Sequence, residues 1–149
     1  MTAKTFCDIS EAAQSLTGLS RTVLDWALTQ KRLMDASKSA DFDPSEWDQL
    51  SSYVDLESFK RIGNFKEEMN FCGFLDMMRK WAPFAHWEGS FKRITEHDNV
   101  VILELEERVL ADGLTNAVNS VSIYEFNDAG KLQHLDVYLQ TASAPALVD

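Results

Sequence analysis

Acid–base chemistry needs a carboxylate, imidazole or phenol held where water is scarce, and this chain offers few such places. Val101, Leu103, Leu105 and Val109 form an apolar row at alternating positions, interrupted only by Glu107. A carboxylate in such a row is partly desolvated, and desolvation raises its pKa toward the range a general acid or base needs. The competing reading puts Glu107 near a strand end, wetted or paired with Arg108 or Arg93. Ser122, Tyr124 and Phe126 form a second row. There the Tyr124 phenol is a donor for a developing oxyanion, or simply an amphipathic core residue whose hydroxyl finds a partner.

The three histidines divide by context. His86 follows Pro83 and precedes Trp87, and serves as a reserve acid or base if it turns inward. Trp87 and Phe91 claim the inward parity, however, so His86 faces out unless the strand bulges. His97 sits in the turn Glu96-His97-Asp98-Asn99 and is solvated. His134, Asp136 and Tyr138 share one row of the last strand pattern. Their α-carbons lie about 7 Å apart along that row, which predicts no direct proton relay. The opposite row, Gln133, Leu135, Val137 and Leu139, is the more apolar and faces the core.

No three of these groups have metal-ligand spacing, and neither a Gly-rich phosphate loop nor a nucleophile elbow occurs. The reading therefore calls for no metal and no cofactor. Two cysteines, Cys7 and Cys72, make neither a disulfide framework nor a zinc site. They read as a terminal thiol and a small core residue.

The elements that must position these groups change character along the chain. Asp8 to Leu16 predicts a short helix ended at Gly18, and Ser20 predicts the cap of a longer one carrying Val23, Leu24, Trp26, Ala27, Leu28 and Met34. Asp43-Pro44-Ser45-Glu46 combines an acidic cap, a first-turn proline and a capping-box glutamate, so it starts a third helix with Trp47, Leu50 and Val54. Leu56 to Ile62 reads as a short strand. Phe65 to Trp81 reads as a helix with Phe71, Phe74, Leu75, Met78 and Trp81 on one broad apolar face, and Pro83 stops it. From Ala85 the period becomes two. Strands are predicted over Ala85 to Thr95, Val100 to Leu110, Thr115 to Phe126 and Leu132 to Thr141, joined by turn-forming residues into an antiparallel meander. The last residues, Ala142 to Asp149, read as a fraying tail.

A length of 149 residues fits one domain, with a core of about residues 19–141, a helical arm at 1–18 and a tail at 142–149. Fourteen basic against 24 acidic side chains give a net charge of −10. That field repels nucleic acid and acidic bilayers, whose binding is driven by phosphate neutralisation. With no apolar leader and no membrane-length apolar run, a cytoplasmic protein is the expectation.

Helices, a short strand, a helix and then a long antiparallel meander is the order of an α+β cone, a curved sheet wrapped on helices around a central pocket. Phe59-Lys60-Arg61-Ile62-Gly63 leading into Phe65 to Trp81, and the hairpin Tyr124 to Leu132 with its Asn-Asp-Ala-Gly-Lys turn, carry a likeness. In these pieces the chain resembles the nuclear transport factor 2-like superfamily, over roughly Leu19 to Thr141. That group includes SnoaL-like polyketide cyclases, ketosteroid isomerases, epoxide hydrolases, dehydratases and inert binding modules, so the fold does not by itself give a function.

The resemblance implies catalytic positions that this chain fills differently. The hydrolase carboxylate on the last strand falls on Val137, the isomerase's oxyanion-stabilising acid on Tyr124, and its general base near Lys60. A dehydratase-like pocket histidine falls on His86, but the acid expected on the long helix is missing from Asp25-Trp26-Ala27-Leu28. Two functions follow as expectations. One is a cofactor-free lyase, isomerase or cyclase for a small apolar, cyclic molecule, with Glu107, Tyr124 and His86 acting in a pocket of Trp26, Phe71, Leu75, Met78, Trp87, Val109, Leu135 and Val137. The other is a non-catalytic ligand-binding or dimerisation module of the same fold. A homodimer through the outer sheet face, with Val100, Ile102, His134, Asp136 and Tyr138, is expected in both cases.

Overall fold

A computed structural model describes residues 6–142; the tail expectation, Ala142 apart, lies outside the described residues. The period-two half of the chain forms four long strands, β3 (Ala85–His97), β4 (Val100–Ala111), β5 (Leu114–Phe126) and β6 (Leu132–Thr141). Two short ones precede them, β1 (Lys60–Ile62) and β2 (Glu68–Met69). They make a six-stranded sheet in the order β2-β1-β6-β5-β4-β3, antiparallel except where β1 runs parallel to β6. The sheet is curved and unclosed, and the helices lie in its concave side. This is the α+β architecture expected from the sequence.

The hairpin between β5 and β6 shows why local residues set the meander. The Asn127 carboxamide oxygen accepts from the backbone N–H groups of Ala129 at 3.0 Å and Lys131 at 2.9 Å. Gly130 takes the positive φ of 75° that the tight return needs. Leu132, fully buried, is then delivered to the core as the first residue of β6.

The helical half departs from expectation in four places. Helix α1 is only Ile9–Ala13, capped by the Asp8 carboxylate. It is no loose arm: Ile9 is completely buried, and Cys7 and Asp8 pair with the edge of β3 at Phe91 and Ser90. That pairing covers a strand edge that would otherwise be open. Helix α2 runs Gly18–Ala36, so Gly18 opens it rather than closing α1, and Ser20 is inside it rather than at its cap. The exposed donors of its first turn are met from the sheet instead. One oxygen of Glu96, on β3, accepts from the Ser20 N–H at 2.8 Å and from its hydroxyl at 2.7 Å.

The Asp43-Pro44 start is real, with Asp43 accepting from the Ser45 N–H at 3.0 Å, but the element Pro44–Tyr53 is a 3-10 helix. Finally, the predicted helix over Phe65 to Trp81 begins only at α3 (Phe71–Trp81), capped by Asn70. The preceding residues make the β1–β2 hairpin, so Met69 belongs to a strand and not to that helix. Cys72 is exposed on α3, not a core residue.

The core between helices and sheet is built on Trp26. Its indole stacks on Phe74 (5.6 Å between ring centroids, 21° between planes) and meets Tyr53 edge-on at 5.9 Å and Phe59 at 6.3 Å. Phe71 packs edge-on against Phe59 on the far side of this cluster.

Candidate functional site

The concave face of the sheet and helices α2 and α3 enclose a cavity of about 910 Å³. This lies within the usual size range of small-molecule sites. Its walls are largely apolar. Trp26 and Met34 come from α2, Phe74, Met77, Met78 and Trp81 from α3, and Trp87, Leu103, Leu105, Val109, Leu135, Val137 and Leu139 from the sheet. The β6 row Leu135, Val137, Leu139 faces inward as its apolar character requires.

Polar groups interrupt this surface at several points, Thr115, Asn116 and Thr141 among them. Glu107 and Tyr124 both line the cavity, and Arg61, Gln30, Asn64 and Ser122 join them. Glu107 sits opposite Gly89 in the β3–β4 ladder. The Trp87 ring lies over Gly89, so closely that a Cβ there would come within 2.8 Å of its Cη2 atom. Folded over in this way, the indole Nε1–H donates to Glu107 Oε1 at 2.6 Å. Glycine at 89 thus lets an apolar ring fix the one carboxylate of the apolar row. Neither arginine weighed as its partner is used for that: Arg93 bonds Glu104, and Arg108 pairs with Glu106 at 3.1 Å and Glu88 at 3.6 Å.

Tyr124 lies at the other end of the ladder. β4 and β5 pair Glu107 with Val118 but Val101 with Tyr124, six residues along. Such a separation is about 20 Å on a flat sheet, and curvature folds both ends round one cavity. Burial is the main cause raising the Tyr124 pKa, with the Glu107 charge adding to it and Ser122 and Arg61 opposing. The phenol therefore remains a proton donor throughout the neutral range.

Sequence reasoning missed Arg61. It lies on β1 opposite Leu135 of β6, which is in turn opposite Tyr124 of β5, so the three share one level of the inner face. Among the described residues no carboxylate comes within ion-pair distance of its guanidinium. Burial lowers its pKa while the charges of Glu67, Tyr124 and Glu107 act against that shift. Parity with the buried Phe59 was the available signal, and a Lys-Arg pair in a short strand pattern reads as solvated instead.

Several other expected residues lie elsewhere. His86 is on the outer face, exposed, with its imidazole 3.2 Å from Glu88, because Trp87 takes the inward position and the only bulge in β3 comes later, at Phe91/Arg93. Phe71 and Leu75 are buried in the aromatic core and do not reach the cavity lining. Lys60 is exposed beside Glu68 at 3.8 Å. His134 and Asp136 do meet, at 3.1 Å, contrary to the spacing argument. Their α-carbons are a two-residue step apart, but flexible side chains lean along the strand and close the gap. The pair is outside the cavity. Among the described residues, no three His, Cys, Asp or Glu side chains gather as a metal site would require.

A fold of this kind matches many solved structures. The fold is that of nuclear transport factor 2-like proteins. A nuclear transport factor 2-like protein of unknown function from an Exiguobacterium species superposes with a TM-score of 0.60 at 15% identity, over 78% of this chain and 99% of that one. One from Burkholderia xenovorans gives 0.56 at 18% identity, over 85% and 89%. An epoxide hydrolase of Mycobacterium tuberculosis gives 0.55 at 13% identity, over 76% and 84%. No family model matches the sequence. No curated protein matches it either. What this chain shares with nuclear transport factor 2-like proteins is thus architecture, on which activities differ. No helix among the described residues is long and apolar enough to cross a membrane.

Proposed function

We propose that the cavity binds a small, largely apolar, cyclic molecule and that Glu107 exchanges a proton with it, without a cofactor, as a lyase, isomerase or cyclase requires. One observation carries this reading: the one carboxylate that lines the cavity among the described residues is held inside it by the Trp87 indole at 2.6 Å. A surface carboxylate needs no such orientation, whereas a general base must be aimed. Tyr124 supports the same reading as a buried hydroxyl that stays protonated and can hold an oxygen of the ligand. A non-catalytic binding module of the same fold is favoured by Val137, which puts an alkyl group where the resemblance implies a carboxylate.

Both readings need an occupied cavity, and tryptophan fluorescence tests this directly, since Trp26, Trp81 and Trp87 all line it. Titration with a bicyclic aryl ketone is expected to quench emission saturably. Val137→Trp, which fills the lumen, is expected to weaken that binding by roughly tenfold or more, about 1.4 kcal/mol, with the melting temperature little changed. Quenching that does not saturate, or that Val137→Trp leaves unaltered, would count against the cavity.

The outer face carries Tyr138, 56% exposed, beside the half-buried Val100, Ile102, His134 and Asp136. A mixed apolar and polar patch of this kind suits a two-fold contact, and we include a homodimer in the proposal. Light scattering at micromolar concentration is expected to give about twice the monomer mass of 16.9 kDa; the monomer mass itself would refute the pairing.

A further inference from the structure

Among the described residues one cationic side chain lines the cavity, and the mechanism proposed for Glu107 does not use it. Arg61 projects from β1 onto the inner face, partly buried, with no ion pair or side-chain hydrogen bond among the described residues. A buried or half-buried guanidinium is ordinarily matched by a carboxylate, because its five N–H donors lose water on burial and must find acceptors. The nearest carboxylates stop short of an ion pair: Glu67, beside Arg61 at Gly63, turns one oxygen to the Phe65 N–H at 2.9 Å, and Glu107 accepts from Trp87 at 2.6 Å, although both charges still act on the guanidinium.

Register supplies the second donor. Arg61 and Tyr124 flank Leu135, one strand to either side, so their α-carbons are about 10 Å apart on the same face. Two long side chains starting at that separation can close on a single planar anion. Glu107 is at the other end of the β4–β5 ladder, six residues away. The Glu107 charge reaches both Arg61 and Tyr124, so an anion there is held by the guanidinium against that repulsion, while the apolar walls accept the hydrocarbon body.

We propose that the ligand of this cavity is an apolar carboxylic acid, bound as its carboxylate by the Arg61 guanidinium and the Tyr124 hydroxyl, with its ring system extending toward Glu107. This rests on the cavity reading above and narrows it to a substrate class. Arg61 is the specificity residue: its planar fork matches a carboxylate in a way a point charge does not. The protein's net charge of −10 works against any anion. A preference for the charged ligand must therefore come from a local donor and not from the field of the whole molecule.

The test is a matched pair, naphthoate and naphthamide, titrated by calorimetry into the wild-type chain near neutral pH, where the acid is ionised. Naphthoate is expected to bind roughly tenfold or more tightly than the amide, as charge-assisted hydrogen bonds to a guanidinium allow. In Arg61→Met the preference is expected to vanish through a larger loss of naphthoate than of naphthamide affinity, and Arg61→Lys should restore only part of it. Tyr124→Phe should reduce it by a smaller factor. Equal affinity of the two probes for the wild-type chain would overturn the anchor and leave the apolar cavity standing. A preference for the amide would assign Arg61 to balancing Glu107 instead, and would overturn it too. Failure of both probes to bind would remove the cavity reading and the anchor together. The wild-type comparison needs no variant to fold.

Discussion

Trp26→Ala is expected to destabilise the protein by about 3–5 kcal/mol, the usual cost of deleting a large buried aromatic ring. At this chain length that lowers the melting temperature by roughly 10 °C or more. The residue is 2% exposed and touches the ring of Phe74 from α3, Tyr53 from the 3-10 helix and Phe59 ahead of β1. Removing it therefore loosens three elements from α2 at once. It also lines the cavity, so the void left behind is continuous with existing space and the surroundings have little reason to collapse into it. Trp26→Phe keeps the stack on Phe74 and most of the apolar area, and should cost about 1–2 kcal/mol. Urea unfolding of both variants checks the ordering. A loss below about 1 kcal/mol for the alanine variant would mean that Trp26 is a wall of the cavity and not the hub of the core.

What could be read from the residues was whatever depends on near neighbours in sequence. The alternation in β6 assigns Leu135 and Val137 inward because a strand exposes every second side chain to one face. The Asn127–Gly130 turn and the Pro83 stop are local chemistry of the same sort. The apolar row around Glu107 led to the cavity wall for the same reason. What was not legible depends on partners far along the chain. The carboxylate that meets the first turn of α2 is Glu96, separated from Ser20 by 76 positions. β2 has two residues and no periodicity to detect; it exists because β1 is beside it. Arg61 had a local hint in its parity with Phe59, but only the parallel pairing of β1 with β6 fixes it inward.

Phe71 and Leu75 show a different failure. Both face inward, as helical spacing required, but inward includes both a packed core and a cavity wall. Hydrophobic pattern does not separate those two. Geometry does so here. Phe71 packs against Phe59 within the aromatic cluster, and Phe74 and Met78, one and two turns further on, border the cavity. His86 was decided by volume. Trp87 has the apolar surface to bury, so it takes the inner position and its neighbour faces water.

Glu107→Gln should separate a catalyst from a binding module. The glutamine side chain has nearly the same shape and keeps a carbonyl oxygen to accept from the Trp87 indole, so stability should change by about 1 kcal/mol or less. It cannot take up a proton. If Glu107 is the base, exchange of a carbon-bound hydrogen of a cavity ligand with D₂O, followed by NMR, is expected to slow by about a hundred- to ten-thousandfold. Binding of the same ligand should be nearly unaffected, so the loss appears in the rate and not in the affinity. Trp87→Phe adds the aiming of that group as a separate question. It retains the ring over Gly89 but not the 2.6 Å hydrogen bond, so Glu107 stays ionisable and loses its fixed orientation. A positioning role predicts an intermediate loss of exchange rate in Trp87→Phe, with the carboxylate still present to carry some exchange. Hydrogen exchange that continues at the wild-type rate in Glu107→Gln would remove the acid–base role. The cavity would then be a binding site whose carboxylate serves Trp87, and the order of dependence between the two residues would be reversed.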